Sequence, residues 1–468
     1  MAFSEQQIET LSPSPAAFNA GKSLAAKNKW KSLAQNERAA WGEIQGSGKN
    51  PYQAQVEIGT LACKCNCPSR QFPCKHNLAL MLLFAKVPNE FAQTPDEPEW
   101  VKSWLEKRLA KANKPPPKER TEEDQGKLDK AKEKTQAERF DSVRLGAIEL
   151  ELWLKDLVRI GILELPNKPA TEFEKVAARM VDAKAPGLAG WVRSLSKIDF
   201  GNQTEWQSEA LGMISRLFLL IRTFLNYENL SPIWQITIKN LVGWSQSPKE
   251  LLLNTEAETI KDKWLVVGQE MESSEEITTQ RNWLVGCNTN RKALILYFTS
   301  NYTTIENPIF PGSILNAELA FFPSALPFRA VIAMQRSIEN ELEQKPESYN
   351  SWKEVYELRN EQLKLNPWTF DILFIIKDAR MVKQDDQWII YDNEKFYTPV
   401  VPDFDLEKVM KWLVISGNRP QNAACVLRNG KVLPLGIFQN NQYTTLNNLI
   451  IQQFINKNST VKYSNCLL

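Results

Sequence analysis

One short stretch decides how the amino-terminal part of this chain folds: Cys65-Asn66-Cys67-Pro68-Ser69-Arg70-Gln71-Phe72-Pro73-Cys74-Lys75-His76. It contains the only histidine of the 468-residue chain. In an extended segment the side chains at positions i and i+2 share a face, so Cys65 and Cys67 project together. Two prolines then turn the chain, and Cys74 and His76 can complete a tetrahedron of three thiolates and one imidazole. Such a ligand set is typical of Zn²⁺, and a fully ligated site is structural rather than catalytic. We therefore expect one structural zinc ion.

Cys63 leaves an alternative for the ligand set. It has the same parity as Cys65 and Cys67, so it would face the same side of an extended strand. It can either replace a ligand or pack beside the site, and we prefer Cys65 and Cys67 because they adjoin the turn. A redox role for a Cys-x-Cys pair is a second alternative, but it leaves Cys74 and His76 without a role.

Basic and aromatic side chains near this stretch are candidates for contact with a partner. Lysine and arginine can bind phosphate, and aromatic rings can stack on bases. The alternative is that the cations offset the thiolate charge and keep the surface soluble. Both interpretations stand on the sequence, and a protein partner is as well supported as DNA. The candidate residues are Lys49, Tyr52, Lys64, Arg70, Phe72 and Lys75.

The bulk composition limits the classes of function. The formal net charge is only +2, so any DNA binding must be local and weak. The start of the chain lacks the basic and apolar regions of a secretory signal. The most apolar run, 211–225, contains Arg216 and Arg222, and it predicts a buried helix rather than a membrane span. With 7 cysteines and no signal, we expect reduced thiols and a cytoplasmic location.

The pattern along the chain predicts an α+β multidomain fold. We expect a small zinc-stabilised ββα-like finger, a helical middle region and a C-terminal α+β domain. The finger should consist of a hairpin around the turn at 46–51 and a helix over 77–86, preceded by one or two helices over 5–40. The expected domains are 1–88 for the finger with its amino-terminal helices, 89–140 for a helical and charged linker, 141–245 for a helical domain, and 246–468 for the α+β domain.

Several local signals refine these regions. The linker should contain a short helix over 100–111, then a lysine- and glutamate-rich stretch that forms a solvated helix or a tether. Pro186-Gly187 predicts a turn within the helical domain. Beyond residue 260, short apolar runs predict strands, with helices near 335–364 and 404–416. Asn429-Gly430 is typical of a type I′ hairpin turn.

The residues quoted above resemble the prokaryotic SWIM zinc finger family. The resemblance rests on 67–76, on the lead-in 41–48 with Pro51-Tyr52, and on 177–188, and it covers the chain well to about residue 200. It implies a zinc-binding module that contacts DNA or proteins and has no enzymatic activity. Family members of bacteria often accompany AAA-type ATPases and von Willebrand factor A-domain proteins, so the resemblance implies partners of that kind.

Two hypotheses of function follow. The first is a non-enzymatic DNA- or protein-interaction module that depends on zinc. The second is an enzyme whose active site lies in the C-terminal α+β domain, with the finger as a targeting module. With its one histidine assigned to zinc, the chain has no free imidazole for acid–base catalysis, and the sequence indicates no small-molecule substrate. A deep pocket lined by convergent carboxylates beyond residue 260 would favour the enzyme. A shallow surface there, with a basic face beside the finger, would favour the interaction module.

Overall fold

The computed structural model of the chain describes residues 5–12, 15–46, 50–69, 73–112, 122–201, 206–244, 246–273, 278–299, 309–339, 342, 344–439 and 442–447. The structural statements below concern these residues. Among the helices described, none combines the length and the apolar character needed to cross a bilayer.

The amino-terminal part is built on a five-stranded sheet of order β4-β3-β2-β1-β5, in which only the β1–β5 pair is parallel. Its elements are α1 (Glu5–Leu11), α2 (Pro15–Leu24), β1 (Trp30–Gln35), β2 (Ala39–Ile44), β3 (Tyr52–Glu57), β4 (Cys63–Cys65), α3 (Lys75–Lys86) and β5 (Ala92–Gln93). The expected hairpin is the β2–β3 pair and the expected helix is α3. The prediction of helices over 5–40 was wrong beyond α2. Residues of β1 pair with the free edge of the β2–β3 hairpin, and this backbone pairing outweighs their helix-like sequence pattern.

Helix α3 lies at the centre of this part of the protein. Its residues from His76 to Phe84 are all buried, between the sheet and helices α1 and α2. A Cβ atom at Gly21 would lie 2.8 Å from Leu78 Cβ, so the glycine permits α2 to approach α3 closely. A helix that is apolar on all faces is a buried helix, and this burial fixes the position of the helix start, where two of the candidate ligands lie.

The other face of the sheet is covered by α4 (Glu99–Ala112). Val101 and Leu105 of this helix pack against Ala39 and Trp41 of β2. The helix expected within the linker is therefore present, but it forms part of the core around the finger.

The middle of the chain is helical, as expected. Its elements are α5 (Glu122–Ile160), α6 (Ala170–Asp182), α7 (Pro186–Leu195), α8 (Trp206–Leu225), α9 (Pro232–Leu241) and α10 (Pro248–Leu253). The charged stretch before Phe140 is the first half of α5, so it forms a helix and not an extended tether. Pro186-Gly187 begins α7 instead of forming a turn, since proline is well suited to the first helical turn.

The C-terminal part contains two β structures. The first is a closed barrel of order β10-β8-β7-β6-β9, formed by β6 (Thr259–Ser273), β7 (Thr278–Gly286), β8 (Lys292–Thr299), β9 (Ile314–Phe321) and β10 (Arg329–Glu339). The second is a sheet of order β13-β12-β11-β14-β15-β16, with α11 (Trp352–Leu365), β11 (Asp371–Gln384), β12 (Gln387–Tyr391), β13 (Tyr397–Pro399), α12 (Leu406–Ser416), β14 (Gln421–Arg428), β15 (Lys431–Gln439) and β16 (Gln442–Thr445).

The predictions for this part were largely confirmed. Asn429 and Gly430 have φ values of +49° and +77° and join β14 to β15, as a type I′ turn requires. The helix near 404–416 is α12. The helix near 335–364 is shorter than expected, because residues up to Glu339 belong to β10, which closes the barrel. The barrel and the sheet share one apolar core, in which Trp283 packs with Leu373 and Leu435.

The helical region is attached to the C-terminal part through Trp368. This side chain, from the connection between α11 and β11, is buried in the core of the helical region. Its Nε1 donates a hydrogen bond to the backbone oxygen of Arg216 on α8 at 2.9 Å. The contact holds α8 beside the carboxyl end of α11.

Candidate metal centre

Strand β4 presents the first two candidate ligands. Cys65 pairs with Ala54 of β3 at the end of the ladder. Beyond the strand, the Asn66 backbone N–H donates to the Gln53 oxygen at 3.2 Å, and the Asn66 side-chain oxygen accepts from the Gln53 backbone N–H at 2.8 Å. These two bonds hold the chain between Cys65 and Cys67. Asn66 was missed as a supporting residue, although an asparagine between the two cysteines is a signal for such a contact.

The start of α3 presents the other two candidate ligands, Cys74 and His76. Cys74 occupies the N-cap position of the helix, with its backbone oxygen accepting from the Leu78 N–H at 3.0 Å. His76 follows in the first turn and is buried. The amino-terminal end of a helix favours negative charge, and this field offsets part of the charge of a zinc-bound thiolate at Cys74.

The fold brings the four predicted ligands into one cluster. The Sγ atoms of Cys65 and Cys74 each lie 3.9 Å from His76 Nδ1, and the ligand atoms of Cys65, Cys67, Cys74 and His76 all lie within 4.8 Å of one another. Zn–S and Zn–N bonds of ordinary length in a tetrahedron separate the ligand atoms by about 3.6–3.8 Å. The donor types and their spacing therefore fit a zinc ion. All four ligands come from the protein, so no position is left open for a water or a substrate.

The three sulfurs of the cluster share negative charge unequally. The Cys65 and Cys74 thiols hydrogen-bond to the Cys67 sulfur and hold the pKa of Cys67 well below its usual range. The same contacts with Cys67 and Cys74, together with burial, raise the pKa of Cys65. Negative charge is therefore concentrated on Cys67 when no metal is bound. A cation at the centre of the cluster releases the remaining thiol protons as it binds.

Cys63 lies next to the site but outside the ligand cluster. It pairs with Val56 at the start of β4 and packs against the apolar core beneath α3. Burial raises the pKa of its thiol well above the usual value, which favours the neutral form. Its environment suits an inert core cysteine.

The candidate contact residues separate into three groups. The ring of Tyr52 lies 5.1 Å from the ring of His76, so it packs against a ligand. Lys64 and Lys75 are exposed, each adjacent in sequence to a ligand. The remaining three, Lys49, Arg70 and Phe72, lie outside the described residues.

Comparison with known families identifies two regions of the chain. Residues 50–84 match the SWIM zinc finger, and residues 138–242 match the SWIM-associated four-helix bundle domain. The first match contains β3, β4 and α3 with all four candidate ligands. The second runs from within α5 past the end of α9. No curated protein and no solved structure matches the chain.

The family match and the geometry agree on the nature of the site. The donor set, the ligand spacing and the absence of an open position among these four ligands describe one structural Zn²⁺. The protein therefore contains a SWIM zinc finger, in which Cys65, Cys67, Cys74 and His76 form the zinc cluster, together with a SWIM-associated four-helix bundle domain.

Proposed function

We propose that the protein is a non-enzymatic interaction module, in which the zinc finger presents a surface to a macromolecular partner. The closed zinc site carries this proposal. Because protein side chains fill all four ligand positions, the ion stabilises the position of β4 against α3 and is not available to activate a substrate. The role of the finger is then to hold a surface in place for the partner.

A protein is the partner that the charge distribution supports best. The chain has a net charge of only +2, and Lys64 and Lys75 are the exposed candidate cations among the described residues of the finger. So small a cationic surface gives weak binding to DNA. The family resemblance directs the search to AAA-type ATPases and von Willebrand factor A-domain proteins as partners. Zinc-ligating thiolates also need a reducing compartment, which supports a cytoplasmic location.

A second candidate function is an enzyme with its active site in a cleft. A cavity of about 1620 Å³ is lined by residues of the amino-terminal helices, α8, the barrel and the C-terminal sheet, and its carboxylates are Glu9, Asp199, Glu209, Glu270, Asp403 and Asp405. However, Glu270 accepts hydrogen bonds from Arg428 at 3.0 and 3.1 Å, and Asp405 caps α12 by accepting from the Glu407 N–H. Two of these six carboxylates are thus already engaged, and the one histidine of the chain belongs to the zinc cluster, so the interaction module is the better-supported function.

The test is affinity capture with the intact chain and with Cys74→Ala, followed by titration with the purified partner. Intact protein should retain a partner protein that Cys74→Ala loses, because this variant removes a ligand and releases the finger surface. Cys63→Ser is the matched control, since it changes a neighbouring cysteine outside the cluster. A partner that binds Cys74→Ala as tightly as the intact chain contradicts the proposal.

A further inference from the structure

The cleft between the helical region and the C-terminal part has features that the zinc finger does not explain. One wall is a face of α8 that includes Met213 and Arg216, and α11 contributes Arg359. The opposite side is formed by β6 and by the β14–β15 hairpin. Its volume of about 1620 Å³ exceeds the roughly 300–1,000 Å³ of common small-molecule sites. A ligand of nucleotide size fits in such a space.

Arg216 and Arg359 both line this cleft without a protein partner for their charges. Among the described residues, neither guanidinium has a hydrogen bond or an ion pair. A third arginine of the cleft differs in this respect. Arg428 Nε donates to Asp371 at 2.6 Å, and its two terminal nitrogens donate to Glu270. Arg428 is thus fully paired, whereas Arg216 and Arg359 make no direct ion pair with the described carboxylates of the cleft, which are Glu9, Asp199, Glu209, Glu270, Asp403 and Asp405.

Tertiary contacts hold Arg216 in position. Its guanidinium lies over the ring of Phe370, with 5.3 Å from Cζ to the ring centroid, and its backbone oxygen accepts the hydrogen bond from Trp368. Phe370 in turn packs against Trp191, with 4.9 Å between the ring centroids. Arg216 is also only partly exposed. An arginine stacked on a ring has a restricted orientation, so little conformational freedom is lost when it binds an anion.

The positive charges of Arg216 and Arg359 repel each other. Burial and the positive charge of Arg359 together lower the pKa of Arg216. Two like charges near each other in a partly buried site are unfavourable unless an anion lies between them. A free surface lysine avoids such repulsion by turning into solvent, but the stacked Arg216 has no such freedom.

We propose that Arg216 and Arg359 form an anion site in this cleft for a small molecule that carries a phosphate group. The planar guanidinium fork matches phosphate oxygens in a bidentate manner. A phosphate monoester carries a charge of about −1.5 to −2 near neutral pH, which compensates both arginines. A single carboxylate would leave one of them uncompensated. Neither arginine belongs to the zinc finger, so the site does not depend on the function proposed above.

The experiment is calorimetric titration of the full zinc-loaded chain with inorganic phosphate, with adenosine monophosphate and with adenosine. Chloride at matched ionic strength measures the effect of salt alone. Phosphate and adenosine monophosphate should bind, and adenosine should bind far more weakly. Arg216→Gln and Arg359→Gln should each weaken the binding of adenosine monophosphate by about tenfold or more, because each removes a charge-assisted contact. The control is Arg222→Gln on the same helix, which pairs with Glu151 at 3.5 Å and lies outside the cleft lining, and it should bind as the parent does.

Zinc content and the melting temperature without ligand show whether each variant folds. If Arg216→Gln does not fold, Arg216→Lys and Arg359→Gln test the same site, since the lysine keeps the charge but loses the fork. The proposal is overturned if the parent shows no phosphate-dependent heat up to about 1 mM ligand, or if both arginine variants match the control. It is also overturned if a short glutamate-rich peptide binds the cleft more tightly than adenosine monophosphate does, because the site would then suit an acidic protein segment.

Discussion

Cys63 and Cys65 lie two positions apart on β4, yet their sulfurs have different environments. Both side chains are partly buried against the apolar core, but only the Cys65 sulfur lies in the cluster with His76 and the other two ligands. Strand alternation alone allowed either residue to be a ligand. The difference arises because the fold brings the ligand atoms of Cys74 and His76 together with the Cys65 sulfur and leaves Cys63 outside this cluster.

This difference predicts distinct zinc contents for three serine variants. Cys63→Ser should keep about one zinc per chain, since it removes no ligand, while Cys65→Ser and Cys67→Ser should lose it. Elemental analysis of the purified proteins measures the ratio. Equal loss in all three variants would show that Cys63 is a ligand.

Gly187 illustrates a residue whose role only the packing reveals. A Cβ atom there would lie 2.1 Å from the backbone oxygen of Leu241, because the start of α7 meets the end of α9. The Gly187 N–H also donates to the Val242 oxygen at 3.1 Å. Gly190, one turn later in the same helix, has open space around it.

We expect opposite effects on stability from these two glycines. Gly187→Ala should lower the free energy of unfolding of the helical region by about 1–3 kcal/mol through overpacking against backbone. Gly190→Ala should raise it by about 0.5–1 kcal/mol, because alanine is the better helix former. Denaturant titration followed by circular dichroism measures both. Similar effects from the two variants would contradict the close approach of α7 to α9.

At the scale of the element, zinc joins β4 to α3. The strand has only three residues, and a ladder this short has few backbone bonds to hold it. Structural zinc contributes about 10–16 kcal/mol of apparent free energy in isolated finger peptides, which equals or exceeds the roughly 5–15 kcal/mol of a whole domain. The ion is therefore a main determinant of the local fold.

Removal of zinc should unfold the finger selectively. We expect a chelator to abolish amide protection in β3, β4 and α3, while α6 to α8 keep theirs, because the bundle has its own core. Phe310 packs into the core around the finger, so protection next to it should also fall. Hydrogen exchange with and without chelator tests this, and readdition of Zn²⁺ should restore protection. Loss of protection throughout the bundle would show that the two cores unfold together.

At the scale of the whole molecule, the nearly neutral charge sets the strength of any DNA binding. The candidate cations near the finger are Lys49, Lys64, Arg70 and Lys75. If all four contact phosphate, the log–log dependence of affinity on salt for duplex DNA has a slope of about −4. Affinity would then fall on the order of a hundredfold between about 50 and 200 mM salt.

We therefore expect the isolated chain to bind DNA weakly, with strong salt sensitivity and little preference for base sequence. Titrations with duplex and single-stranded DNA at several salt concentrations measure this. Nanomolar, sequence-selective binding that persists near 200 mM salt would show that the finger recognises base sequence. DNA would then be a better-supported partner than a protein.

The sequence by itself determined the zinc site and the Asn429-Gly430 turn of this protein. The four ligands fall within 65–76, so a strand, a turn and a helix start are enough to bring them together. Asn429-Gly430 likewise specifies its own hairpin, because positive φ at both positions is a local preference. Such features depend on neighbours in the chain, and residue type and spacing reveal them.

The tertiary structure alone decided β1, the packing of α4 on the sheet, the closure of the barrel and the arginine cleft. Trp368 reaches Arg216 across 152 positions of sequence, and no pattern near either residue indicates the contact. Partners this far apart are selected by the burial of apolar surface over the whole molecule, a free energy that depends on how the elements pack together. The local pattern of apolar residues does not contain this packing free energy. For this reason the finger could be predicted from the sequence and the cleft could not.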